Sequence, residues 1–154
     1  MVFYNPVLIG GAVAWFMAQF IKVLLNLIKF RRFDMERIFG SGGMPSSHSS
    51  TVCAAATVVC RLYGPDSAVF GVMVIMSVIV MYDAMNVRYH AGVQAKELNI
   101  IRKELKNNKV LNEDFNNKIS GNELKELLGH TPLEVLCGAV LGIAIGIIVP
   151  VLRI

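Results

Sequence analysis

The 154 residues are 55% hydrophobic with a mean hydropathy of +0.56, yet they include 15 basic and 11 acidic side chains, a net charge of +4. This balance argues against a soluble globular core and for a polytopic membrane protein. No interleaved aromatic and basic residues of the kind that stack bases occur, so no nucleic-acid partner is expected, and the positive charge reads as orientation and attraction to anionic head groups.

The first apolar run, residues 6 to 28, is close to the ~20 residues that span a ~30 Å hydrocarbon core. It differs from a secretory signal: no basic residue precedes it, it is longer than such a segment's apolar region, and Ala12-Val-Ala14 falls inside it. A retained membrane anchor is expected. Lys22 lies within this run, and Lys29 follows seven residues later on nearly the same helical face. Snorkelling to the interface and a ligand role both account for Lys22.

The segment Ser41-Gly-Gly-Met-Pro-Ser-Ser-His-Ser49 comes next. Pro45 in the first helical turn with Ser46 or Ser47 as the cap leaves free backbone N–H groups at the start of a helix. Those donors and the positive helix end make an anion site, which Gly40, Gly42 and Gly43 let the backbone approach closely. His48 sits one position inside, although a capped helix with an incidental histidine fits the same residues. Residues 47 to 62, built of Ala, Val, Ser, Thr and Cys, form a slightly short second span suited to close packing inside a bundle. Cys53, Cys60 and Cys137 all fall within spans without paired metal or redox spacing, so each is read as packing.

The run from 67 to 87 predicts a third span. Asp83 lies inside it, where an ionisable group needs a partner, and either Arg88 or a neighbouring base could be that partner. Arg88 closes the span, as a topology marker or as a ligand. Residues 93 to 106 place Val93, Leu98, Ile101 and Leu105 near one helical stripe with charges opposite, an interfacial or docking helix. Asn107, Asn108, Asn112, Asn116, Asn117 and Ser120-Gly121 then predict a loop with one short helix near 122 to 128. The last apolar run, 132 to 152, opens with Gly129-His-Thr-Pro-Leu-Glu134. His130 and Glu134 stand one helical turn apart, so the carboxylate can orient the imidazole, unless the two are only an ordinary cap with a surface pair. His90 has no comparable context.

Of the 15 Lys and Arg, 12 fall in segments 29 to 37 and 88 to 125, which four spans place on one side. The positive-inside rule makes that side cytoplasmic and sends both termini outward. The expectation is an all-α polytopic membrane helical bundle of about four transmembrane helices plus a cytoplasmic amphipathic helix. Residues 1–154 form a single integral membrane domain, with 88–129 as a cytoplasmic loop and helix within it. The alternating spans bring Lys22, Lys29, Ser46, His48, Arg88, His130 and Glu134 toward one membrane face. The localisation that follows is the plasma membrane of a prokaryote, with the site facing the cytoplasm. Small-residue faces allow a homo-oligomer.

With these residues in view, the chain resembles the type 2 phosphatidic acid phosphatase superfamily, which includes vanadium haloperoxidases, and more closely its small divergent membrane branch. The likeness covers most of the chain: GMPSSHS, an Asp-Ala and Val-Arg stretch running into Gly-Val-Gln-Ala and Leu-Asn, then LGHTPLEV followed by glycine. Pro45-Ser46-Ser47-His48 is similar to the superfamily's Pro-Ser-Gly-His, with Ser47 in the glycine position. His130 and Glu134 match the end of its third motif, with Glu for Asp.

Three further positions depart from that pattern. The arginine expected six residues before His130 is Leu124, and Arg88 is assigned to its role. Lys22 and Lys29 reproduce the spacing of the first motif, but Lys29 replaces arginine and Phe30 replaces proline. Lysine binds phosphate as a point charge, not as a planar fork.

What the resemblance implies is metal-independent phosphoryl transfer through a phosphohistidine, with no cofactor. His130 is the nucleophile, Glu134 holds its tautomer, and His48 protonates the leaving oxygen. Lys22, Lys29, Arg88, Ser46 and the backbone at Ser47 hold the phosphate oxygens, with Asp83 and Gly43 in support. The substrate implied is a phosphatidyl or prenyl phosphate. Three other readings stand beside this one: a non-catalytic binder or transporter of phosphorylated lipid, a structural bundle whose cytoplasmic segment recruits a partner, and, more distantly, a vanadate haloperoxidase.

Overall fold

The computed structural model describes residues 4–30, 42–107, 123–126 and 128–151. Five helices and no strand occur among the described residues: α1 (Pro6–Phe30), α2 (Ser47–Tyr63), α3 (Ala68–Met85), α4 (Val87–Asn107) and α5 (Pro132–Ile148). α2 is the hub, packing against α1, α3 and α5, while α1 also meets α5. Its 17 residues reach only ~25 Å at ~1.5 Å per residue, short of the ~30 Å hydrocarbon core. Neighbours on three sides shield its serines and threonines. Thr51 and Thr57 donate to the carbonyls of Ser47 and Cys53 within the helix, and the Ser50 hydroxyl donates to Ala14 O.

The closest seam joins α2 and α5. Gly138, Gly142 and Gly146 recur every four residues along α5 and face the carbonyls of Ser46, Ser50 and Ala54 along α2. A Cβ at any of the three would run into that backbone, so only glycine permits the approach. At the far end of the seam, Arg61 Nη1 donates to Gly146 O (2.8 Å) and Val149 O (2.6 Å), covering the open carbonyls at the end of α5.

Burial runs opposite to that of a water-soluble protein. Lys22, Ser46, Ser49, Ser50 and His130 are buried, whereas Leu8, Phe16, Phe20, Ile75, Leu136 and Ile147 are exposed. An apolar exterior around a polar interior is the arrangement hydrocarbon solvent selects, and the chain is a helical membrane bundle. α1 and α3 are each long and apolar enough to cross.

Three sequence expectations are corrected. The last span ends at Ile148, four residues before the expected 152, because Val149 caps it and Pro150 cannot continue a helix. Residues 123 to 126, expected within a short helix near 122 to 128, are irregular. Their polar groups are satisfied by Asn99, which donates from Nδ2 to Leu124 O and Glu126 Oε1 (both 2.9 Å) and accepts from Leu124 N (3.1 Å). The remainder of the 107 to 122 loop lies outside the described residues.

The third correction concerns the amphipathic helix, which starts at Val87 rather than 93 and continues α3 almost without a break. Asn86 N still donates to Tyr82 O, and Asn86 O still accepts from His90 N (both 2.9 Å). Gly92, Ala95 and Asn99 face the returning chain, so Val93, Leu98 and Ile101 point outward and are exposed.

Candidate active site

Ser46, not Ser47, caps α2: its side chain accepts from Ser49 N (3.4 Å), and Pro45 stands before the cap rather than inside the first turn. The N–H of Ser46 donates to Glu134 O (3.0 Å) and that of Ser50 to Ser46 O (3.1 Å). Among the described residues, the amides of Ser47 and His48 are the first-turn donors with no hydrogen-bond partner. They point from the positive end of the helix, the geometry that receives an anion. Gly43, at φ +94°, lets the preceding turn pass close over Lys22, whose Cδ would lie 3.5 Å from a Cβ there.

His130 sits just outside α5 rather than on it, with Thr131 as the cap and Pro132 as the first helical residue. Its N–H donates to Ala84 O (2.8 Å), which ties it to the end of α3. Its Nδ1 stands 3.1 Å from Glu134 Oε2. A carboxylate only accepts, so this contact places the ring proton on Nδ1 and leaves the Nε2 lone pair free. Glu134 Oε2 also accepts from Thr131 N (3.1 Å), while Glu134 N donates to Thr131 Oγ1 (3.4 Å). The carboxylate that closes the capping box is therefore the one that orients the imidazole.

The rings of His48 and His130 lie 6.0 Å apart between centroids, and both His48 Nδ1 and His130 Nε2 are buried without a partner among the described residues. Arg88, Lys22 and Asp83 lie near enough to His48 for their charges to act on it. Lys22 is 3% exposed and faces Glu134, so it is an interior charge of the site and does not snorkel to water. Arg88 donates from Nε to Asp83 Oδ2 at 2.6 Å, which leaves both terminal guanidinium nitrogens for another acceptor. Asp83 is thus paired with Arg88.

Of the sequence-predicted residues, Lys22, Gly43, Ser46, Ser47, His48, Asp83, Arg88, His130 and Glu134 gather at one end of the bundle. Lys29 lies in the last turn of α1, and its side chain is outside the described residues. His90 stacks edge-on with Tyr89 at 5.8 Å and is exposed. Sequence reasoning missed the buried unpartnered Gln19 Oε1, one turn before Lys22, and Ser49 Oγ. A polar residue one turn from a buried lysine was the available signal for Gln19. Ser49 gave none among its neighbouring serines. Cys53 is buried against Met81 (3.9 Å between sulfurs), and Cys60 and Cys137 are half-buried.

The model of the family described as "Divergent PAP2 family" matches residues 3–145. The "Uncharacterized membrane protein YuiD" of Bacillus subtilis (strain 168) is 41% identical over 149 residues, covering 94% of this chain and 93% of that relative. No solved structure matches.

Proposed function

This chain belongs to the divergent PAP2 family, and from that premise we propose that it is a membrane phosphatase or phosphotransferase acting on a phosphorylated lipid, a phosphatidyl or prenyl phosphate. The observation that carries this reading is the pair of histidines, 6.0 Å apart, one with its tautomer set by Glu134. His130 Nε2 attacks phosphorus, a phosphorus–nitrogen bond forms, and the ester P–O bond breaks. Protonated His48 gives its proton to the leaving oxygen. Neutral His48 then takes a proton from water, whose oxygen attacks the phosphohistidine. Phosphate leaves and His130 is restored.

The amides of Ser47 and His48, with Lys22, Lys29, Arg88 and the Ser46 hydroxyl, stabilise the equatorial oxygens, where preorganised donors contribute most. The clustering of basic residues in segments 29 to 37 and 88 to 125 supports a cytoplasmic mouth by the positive-inside rule, where a lipid head group would meet it.

Purified protein incubated with lipid mono- and diphosphates in EDTA is expected to release phosphate. His130→Ala should lower the rate by on the order of 10³-fold or more with the helical content unchanged. Full activity in that variant overturns the reading. One observation favours a second reading, a binder or transporter without turnover: His130 is 1% exposed, enclosed against attack on an incoming phosphorus. Saturable lipid phosphate binding with no release by the unmodified protein would select it.

A further inference from the structure

From Asn99 down to Ala84, the described residues 124 to 126 and 128 to 130 are fastened along one side of the α3–α4 helix. Leu124 and Glu126 bond to the Asn99 amide. At Gly92 the backbone of Glu126 and Leu128 lies so close that a Cβ would stand 2.6 Å from Glu126 O and 3.0 Å from Leu128 O. A Cβ on Gly129, at φ +78°, would run into the backbone of Arg88 and Tyr89. His130 N then donates to Ala84 O (2.8 Å).

Leu128 N also donates to Glu126 O (2.9 Å). The returning chain is held between the Asn99 side chain at its far end and the Ala84 carbonyl, which takes the His130 amide, at its near end.

We infer that Asn99 is a positioning residue for His130, acting through the described residues 124 to 126 and 128 to 130, and that the α3–α4 helix is the support that holds this histidine toward His48. The inference rests on the reading of His130 as the reacting group. The helix carrying Arg88 at its base carries Asn99 about three turns further on, so one rigid element sets both the cation and the imidazole. Asn suits the anchor because one amide both donates to and accepts from the same backbone residue, Leu124, as a strand neighbour would. At Gly92 and Gly129 the helix and the returning chain meet backbone to backbone.

The test compares Asn99→Ala and Asn99→Asp with Glu97→Gln, a control on the outward face, in the full-length detergent-solubilised protein. Asn99→Ala is expected to lower kcat about 10- to 100-fold with KM little changed, because phosphate is still held while His130 is displaced. Asn99→Asp keeps the acceptor for Leu124 N and should fall between Asn99→Ala and the unmodified protein. Amide hydrogen exchange supplies a readout independent of turnover: in Asn99→Ala the amides of Leu124 and His130 should both exchange faster, those of α2 unchanged.

Unchanged exchange at His130, or unchanged kcat in both Asn99 variants, overturns the inference. If Asn99→Ala fails to fold, Asn99→Asp decides by the same two readouts. Should the unmodified protein release no phosphate at all, the proposed reaction fails, and the exchange result still decides whether Asn99 holds His130.

Discussion

Glu134 does two jobs with one carboxylate, accepting from the Thr131 amide as the cap partner and from the His130 ring as its orienting group. A glutamine can still accept from the amide, but it carries no charge to stabilise an imidazolium and can present a donor to Nδ1. Glu134→Gln should therefore lower kcat by on the order of 10²- to 10⁴-fold, while thermal unfolding shifts little. Thr131→Ala is the complement: loss of the cap should cost about 1 kcal/mol of stability, with kcat much less affected. Steady-state kinetics beside unfolding scans of the two variants separate these roles, and equal kinetic losses would refute the separation. The i, i+4 relation of His130 and Glu134 was legible in the sequence. The closeness of Lys22 to Glu134 was not, because snorkelling and burial use the same side chain and only packing chooses.

Among elements, the α2–α5 seam governs the site, since Ser46 both caps α2 and touches Glu134 and Gly138 of α5. Gly142→Ala puts a methyl into the Ser50 carbonyl, 2.9 Å from Ser50 C and 3.0 Å from Ala54 N, all backbone that cannot rotate away. The two helices must part, and a loss of about 1–3 kcal/mol or more is expected, with weaker phosphate binding. Gly71→Ala on α3 is the control, because nothing lies within 4 Å of a Cβ there, and it should be neutral or stabilising by up to about 1 kcal/mol. Unfolding of both variants in one detergent checks the contrast. The four-residue glycine spacing was visible in the sequence, but its partner stripe, Ser46, Ser50 and Ala54, is assigned only by the register in which the helices meet. The same limit applies to α4. Its amphipathic pattern predicted a helix and even its charged side, yet Val93, Leu98 and Ile101 face outward because Gly92, Ala95 and Asn99 take the returning chain.

At the scale of the whole molecule, the bundle has a site at one end and the Gly64-Pro-Asp-Ser67 turn at the other, with α2 running between them. Arg88 lies at the site end and the basic residues Lys96, Lys103 and Lys106 follow it on α4, so that end is predicted to face the cytoplasm. In a cysteine-free background, Lys96→Cys on exposed α4 should stay unlabelled by an impermeant thiol reagent in intact cells, whereas Asp66→Cys should react. The reverse pattern would invert the topology and move the substrate to the opposite leaflet.

The sequence by itself determined the four apolar helices, the amphipathic fifth, the cap at Ser46 or Ser47 and the His130–Glu134 pair. These depend on interactions within a few residues of chain or on hydrocarbon acting on a run as a whole. Tertiary structure alone decided the 6.0 Å approach of His48 and His130, the burial of Lys22 and the fastening of Leu124 and Glu126 to Asn99 of α4. The physical reason is separation along the chain. Eighty-one residues lie between the two histidines, and no local preference spans them. Their meeting depends on the glycine face of α5, which lets it touch α2 at the backbone along Ser46, Ser50 and Ala54, a property of two surfaces in register.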